Sequence, residues 1–146
     1  MSFALVFIFS FTFSTSASVF AGENFGVSTE PPPGEVITPF GLDPPKKSNV
    51  VNLTKEKLTF KGIANNSILY TNKNFKGKSA ATYNITNYKS NKLTIKVYRN
   101  GGLHVAKQTI VISGNSTGGG GINNLDKNEL YYLSFAPPSD FSGSVY

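Results

Sequence analysis

The chain has 146 residues, a formal net charge of +6, no cysteine, no tryptophan and a single histidine. That inventory excludes a disulfide-framed extracellular scaffold, and one histidine without cysteine cannot supply the usual zinc ligand sets. Length sets one domain as the expectation, with enough chain to close a core without covalent staples.

Residues 1–21 carry no charge, and the apolar run from Phe3 to Phe13 has the length of a signal-peptide core. Serine and threonine crowd in from Ser10, so the run is too short for a membrane span, which needs ~20 apolar residues. Val19-Phe20-Ala21 puts small residues at the −3 and −1 positions of a cleavage site before Gly22. The expectation is a secreted or cell-surface associated protein with no transmembrane segment after cleavage. Residues 22–47 follow as a leader holding Pro31-Pro32-Pro33 and Pro44-Pro45 with Glu23, Glu30, Glu35 and Asp43. Proline denies the backbone both helix and ladder donors, so this acidic segment reads as a disordered spacer, the alternative being a segment that folds back on the body.

From residue 48 to 146 short β-favouring runs alternate with Asn, Gly and Lys turns, and no apolar helical stripe is present. Strands are predicted at 50–53, 57–63, 68–71, 81–88, 92–99, 103–113, 129–135 and 142–146. This is an all-β pattern, and it predicts an antiparallel β-sandwich of immunoglobulin-like or jelly-roll style. The organising stretch is 93–112, where Leu93, Ile95 and Val97 alternate with polar residues before Asn100-Gly101-Gly102 and a second run ends in Ile110-Val111-Ile112. A three-residue loop with a bulge would set Val97 opposite Val105 and Leu93 opposite Thr109, with Lys96, Tyr98, His104 and Gln108 on the outer face. The predicted core is Leu58, Phe60, Ile68, Tyr83, Ile85, Leu93, Ile95, Val97, Val105, Ile110, Ile112, Tyr131, Leu133 and Phe135. Residues 114–121, GNSTGGGG, read as a flexible loop, and Pro137-Pro138 forces a bend before the last strand.

Fragments that imitate catalytic motifs lack their context. Gly114-Asn115-Ser116-Thr117-Gly118 matches G-x-S-x-G but runs into four glycines, where the helix of a nucleophile elbow cannot start. Gly77-Lys78-Ser79 resembles the end of a phosphate-binding loop, but Asn72 stands where its first glycine is needed. Asp126, Asn128 and Glu129 place three oxygen donors in one loop without the spacing of a defined calcium loop. The Asn-x-Ser/Thr triplets at Asn52, Asn65, Asn84 and Asn115 are what so asparagine-rich a chain produces by composition. No catalytic residue, metal site or cofactor is assigned, and the protein reads as non-enzymatic.

Charge is distributed unevenly. Residues 46–107 carry thirteen Lys or Arg against one acid, Glu56, whereas 22–45 and 108–146 are net acidic. A basic block in an exported protein draws polyanions such as wall polymers, anionic lipid surfaces or extracellular nucleic acid, although edge lysines also keep strands from pairing between molecules. Lys73, Lys76 and Lys78 around Phe75, with Lys96 and Tyr98 on the hairpin, are the candidate binding residues, and Tyr70, Phe75, Tyr88 and Tyr98 are the rings among the lysines expected to stack on sugars or bases.

The stretch from Leu125 to Val145, LDKNELYYLSFAPPSDFSGSV, resembles the closing strands of small bacterial extracellular β-sandwich modules, with a Tyr-rich strand leading to a Gly-containing last one. The whole chain is similar to small secreted β-sandwich proteins of Bacillus-type Gram-positive bacteria. The resemblance implies a fold and no activity. Together these readings predict a secreted, non-catalytic β-sandwich whose partner is a polyanionic or glycan polymer of the cell envelope or extracellular space. The alternative is a small secreted effector, an antagonistic toxin or enzyme inhibitor, acting on a protein or membrane.

Overall fold

The computed structural model describes residues 41–146; the signal-peptide assignment and most of the leader lie outside the described residues. The described residues form ten strands: β1 (Val50–Asn52), β2 (Leu58–Ala64), β3 (Leu69–Tyr70), β4 (Asn74–Lys76), β5 (Ala81–Asn87), β6 (Leu93–Arg99), β7 (Ala106–Ile112), β8 (Ser116–Ile122), β9 (Tyr131–Phe135) and β10 (Ser139–Val145). They make two packed sheets, a β-sandwich as the sequence predicts. One sheet runs β1-β4-β9-β6-β7 with β3 also on β9, and the other runs β2-β10-β5-β8. Every pairing is antiparallel except β1 with β4, which is parallel.

Strand alternation builds the core. Leu58 and Phe60 on β2, Ile85 on β5, Leu93, Ile95 and Val97 on β6, and Tyr131, Leu133 and Phe135 on β9 all turn inward and are buried. At the centre Phe135 of one sheet stacks on Phe141 of the other, with ring centroids 4.0 Å apart, and Phe60 closes against both at 5.4 and 6.3 Å. Burying three such rings between the sheets supplies a large apolar payload without a disulfide.

Several predicted positions are corrected. Ile68 and Val105 are exposed, at 47% and 68%, while Leu69, Phe75, Phe141, Ile122 and Val145 are buried instead. Val105 misses the core because the hairpin takes a different register: Leu93 pairs with Ile112, Ile95 with Ile110 and Val97 with Gln108. Matching Ile110 and Ile112 to the buried face of β6 keeps two large aliphatics out of water, whereas the predicted register would have spent that place on Thr109. The bulge exists, between Val97 and Tyr98, and leaves Lys107 as the extra residue of β7. The loop is therefore longer than expected, and Gly101 takes its turn at φ 111°, a conformation open to glycine.

Two strands were not legible as strands. Asn74–Lys76 forms β4 between β1 and β9, and the glycine run forms β8, paired with β5 along its whole length from Ala81↔Ile122 to Asn87↔Ser116. Gln108, expected outside, has inward parity and reaches this edge instead, donating from Nε2 to the Gly121 carbonyl at 2.9 Å. β10 begins at Ser139, directly after the Pro137–Pro138 bond, which is cis.

The end of the leader is ordered against the sandwich. Gly41 exchanges two backbone hydrogen bonds with Tyr70, 3.1 and 2.9 Å. Pro45 is buried. The Asn74 side chain, fully buried, donates to the carbonyls of Lys46 and Asn49, while Asn100 Nδ2 donates to Asn74 Oδ1 at 2.7 Å and to the Pro45 carbonyl at 2.8 Å. Each amide proton of this clamp meets an oxygen, which offsets the cost of burying the Asn pair.

Candidate functional site: the outer face of the six-stranded sheet

The residues that alternate with the core on β3, β9 and β6 turn to the opposite side of the sheet. There Tyr98 pairs directly with Tyr132, and the rings stack at 5.5 Å and 20°. Tyr70 of β3 meets Tyr132 edge-on at 6.1 Å. His104, carried by the hairpin loop, lies flat over Tyr98 at 4.6 Å and 18°, with its Nδ1 3.4 Å from the Tyr132 hydroxyl oxygen. Four rings from three strands and one loop thus form a continuous aromatic row.

Tyr132 sits at the middle of the row and is only 2% exposed, although it points away from the core. Burial pushes its phenol up to about 12, with the neighbouring Tyr70 and Tyr98 adding to the shift. The hydroxyl therefore stays protonated at neutral pH and is a donor, not a nucleophile or base. His104 at the end of the row is exposed.

Cations border this row. Lys96 is exposed one alternation along β6 from Tyr98, opposite Ser134 of β9. Lys76 follows inward-facing Phe75 on β4 and is half-buried. The Lys47 ammonium stands against the hairpin loop, where a Cβ on Gly101 would come within 2.9 Å of it.

Of the residues singled out from sequence, strand alternation thus gives Lys76, Lys96 and Tyr98 one side of one sheet. Phe75 is a correction: it is fully buried, its ring 5.9 Å from that of Tyr131, and no ligand can stack on it. No strand is predicted between 71 and 81, and it is the alternation of β4 there that turns Phe75 inward. Lys73 and Lys78 flank β4, both half-buried. Tyr70 is among the candidate rings of the sequence, but sequence reasoning missed Tyr132; one ring of Tyr131-Tyr132 must face out, and only strand order brings it beside Tyr98.

The loop acids are engaged. Arg99 pairs with Glu129 across the sheet end, and this bond and charge hold the guanidinium above its ordinary pKa. Asp126 Oδ1 accepts from the Asn128 backbone N–H at 2.9 Å. Among the described residues no three His, Cys, Asp or Glu side chains form a metal-binding group. Ser116 of the G-x-S-x-G match opens β8 and donates from Oγ to the Ser113 carbonyl at 2.7 Å, which is a turn contact with no base beside it. Among the described residues no helix is long and apolar enough to cross a membrane.

No protein-family model matches this chain, and no curated protein matches it. Among solved structures, a chain from the one described as "Bacillus endospore appendages form a novel family of disulfide-linked pili" is similar over 62% of this chain and 80% of its own length, at 12% identity and a TM-score of 0.43. At that level the likeness bears on neither activity nor assembly.

Proposed function

We propose that this is an exported, non-catalytic binding protein whose outer six-stranded face takes an anionic polymer of the cell envelope or extracellular space. The reading is supported chiefly by one observation: Lys76 and Lys96 share a side of the sheet with the Tyr70–Tyr132–Tyr98–His104 row. An anionic polymer of sugars or nucleotides offers two things at once, regularly spaced negative charge and flat faces, and this surface offers the complement of each. Most charge of the basic block is solvent-exposed, where attraction to a polyanion acts through many weak contacts and counterion release.

Heparin, teichoic-type polymer and single-stranded DNA are the probes. Binding by each is expected to fall steeply as salt rises. Lys76→Gln together with Lys96→Gln should weaken binding and flatten the salt slope, and Tyr98→Ala should weaken it at every salt concentration. Equal binding by the lysine pair variant removes this face as the site.

A second reading is favoured by the hairpin tip, where Leu103 is 89% exposed beside Val105. Two bare aliphatics next to a cationic aromatic face suit a protein or membrane target of a secreted effector. Replacing both by serine would abolish effector action while leaving polyanion binding intact.

A further inference from the structure

The outer face of the four-stranded sheet has a different chemistry. Along β5 and β10 its outward positions are Asn84, Thr86, Asp140, Ser142 and Ser144, short polar side chains that alternate with the buried Ile85, Phe141 and Val145. Thr86 and Thr117 of β8 join hydroxyls at 2.7 Å, and beyond Thr117 the outward positions Gly119 and Gly121 carry no side chain at all. β2 completes the face with outward Thr59, Lys61 and Ile63, Lys61 opposite Ser142 and Ile63 opposite Asp140, so one cation stands against one acid and the surface is largely hydroxylated and nearly neutral, in a molecule of net charge +6.

Tyr88 lies along it, while Tyr146 extends the β10 ladder opposite Thr82 at the far end. Tyr88, directly after β5, donates its backbone N–H to the Asp140 carbonyl at 2.8 Å, and its hydroxyl is 2.8 Å from Ser142 Oγ. The ring thus runs along β10 from one outward residue to the next, about 7 Å on. It is fixed at both ends, yet the residue remains 52% exposed. A tyrosine that only closed a turn would have no reason to spend its hydroxyl on Ser142 while leaving half its surface in water.

We propose that Tyr88 is the stacking platform of a second binding site, for an extended neutral chain of β-linked pyranose sugars. The C–H face of a pyranose packs on an aromatic ring, while its hydroxyls need donors and acceptors around the rim. Thr86, Ser142 and Asp140 surround the ring with both, on short side chains that lose little rotamer entropy on binding. A ribbon-like glycan can follow β10 past Ser144, and the bare glycine strip of β8, on the far side of β5, leaves room for substituents that reach across. The near-neutral face complements an uncharged ligand, and the site uses none of the residues assigned to the polyanion.

N-acetylchitohexaose and cellohexaose, followed by calorimetry on the full chain, test the proposal. At least one is expected to bind, with an affinity unchanged between about 50 and about 200 mM salt, in contrast to phosphate-driven binding. Tyr88→Ala should weaken it by about tenfold or more, equivalent to ~1.4 kcal/mol. Tyr88→Phe keeps the ring, frees it from Ser142 and should cost a few-fold. Lys76→Gln with Lys96→Gln should leave glycan binding untouched, so failure here is distinguishable from failure of the polyanion reading. No binding of either sugar, or binding that survives Tyr88→Ala, overturns the proposal; Tyr88→Phe binding like the parent overturns the role of the Ser142 bond.

Discussion

Tyr132 shows how one residue can be polar in formula and buried in practice. Its folded pKa, raised from 10.0 to about 12, means that the native state holds the phenolic proton more tightly than the unfolded chain does. The stability this contributes is complete below pH ~10 and is lost as pH rises through about 12. Melting temperature should therefore fall over that window, and Tyr132→Phe should flatten the fall; an equal slope in both proteins would place the titration elsewhere. At the core, Phe141→Ala removes a fully buried ring stacked on Phe135 and is expected to cost ~3–5 kcal/mol, measured by denaturant unfolding. Val97→Asp sets a charge at a position with no exposure, and circular dichroism should show loss of the fold; an unchanged melting temperature would contradict the assigned face of β6.

At the scale of elements, what sequence revealed and what it hid have physical causes. The alternation in Leu93-Thr94-Ile95-Lys96-Val97 specifies β6, its buried face and the outward place of Lys96 and Tyr98 without any tertiary knowledge. The hairpin register was not legible, because Leu103 and Val105 imitate the alternation that Ile110 and Ile112 provide, and only competition for a finite core decides between them. β8 was hidden more deeply, since glycine has no side chain to show a period. Its strand character comes from neighbours: Ile112 and the Tyr83 hydroxyl occupy the space above Gly118 and Gly120, and a Cβ at Gly120 would lie 2.8 Å from that hydroxyl. Gly118→Val should consequently destabilise by ~1–3 kcal/mol despite its high strand propensity, whereas Gly119→Thr, at an open outward position, should be near neutral. Comparable urea midpoints for the two variants would mean that β8 does not pack as described. The candidate site was half legible for the same reason: Tyr98 and Lys96 announce themselves by period, but Tyr70, Tyr132 and His104 join them through strand order and loop closure.

For the whole molecule, charge follows architecture. Lys76 and Lys96 stand on the six-stranded side with the aromatic row, while the four-stranded face sets Lys61 of β2 and Asp140 of β10 among hydroxyls and amides. If the uncharged N-terminal run directs export, N-terminal sequencing of the culture-supernatant protein should begin at Gly22; a product retaining Met1 would overturn that assignment. The placement of β10 has a mechanical consequence. It is a central strand with a full ladder on each side, to β2 and to β5, so tension along it loads two rows of hydrogen bonds in shear at once. Tension arriving through the leader meets only the two bonds between Gly41 and Tyr70 and then the Asn74–Asn100 clamp. Under load the segment from Gly41 onward should peel first, while the two sheets keep their ladders.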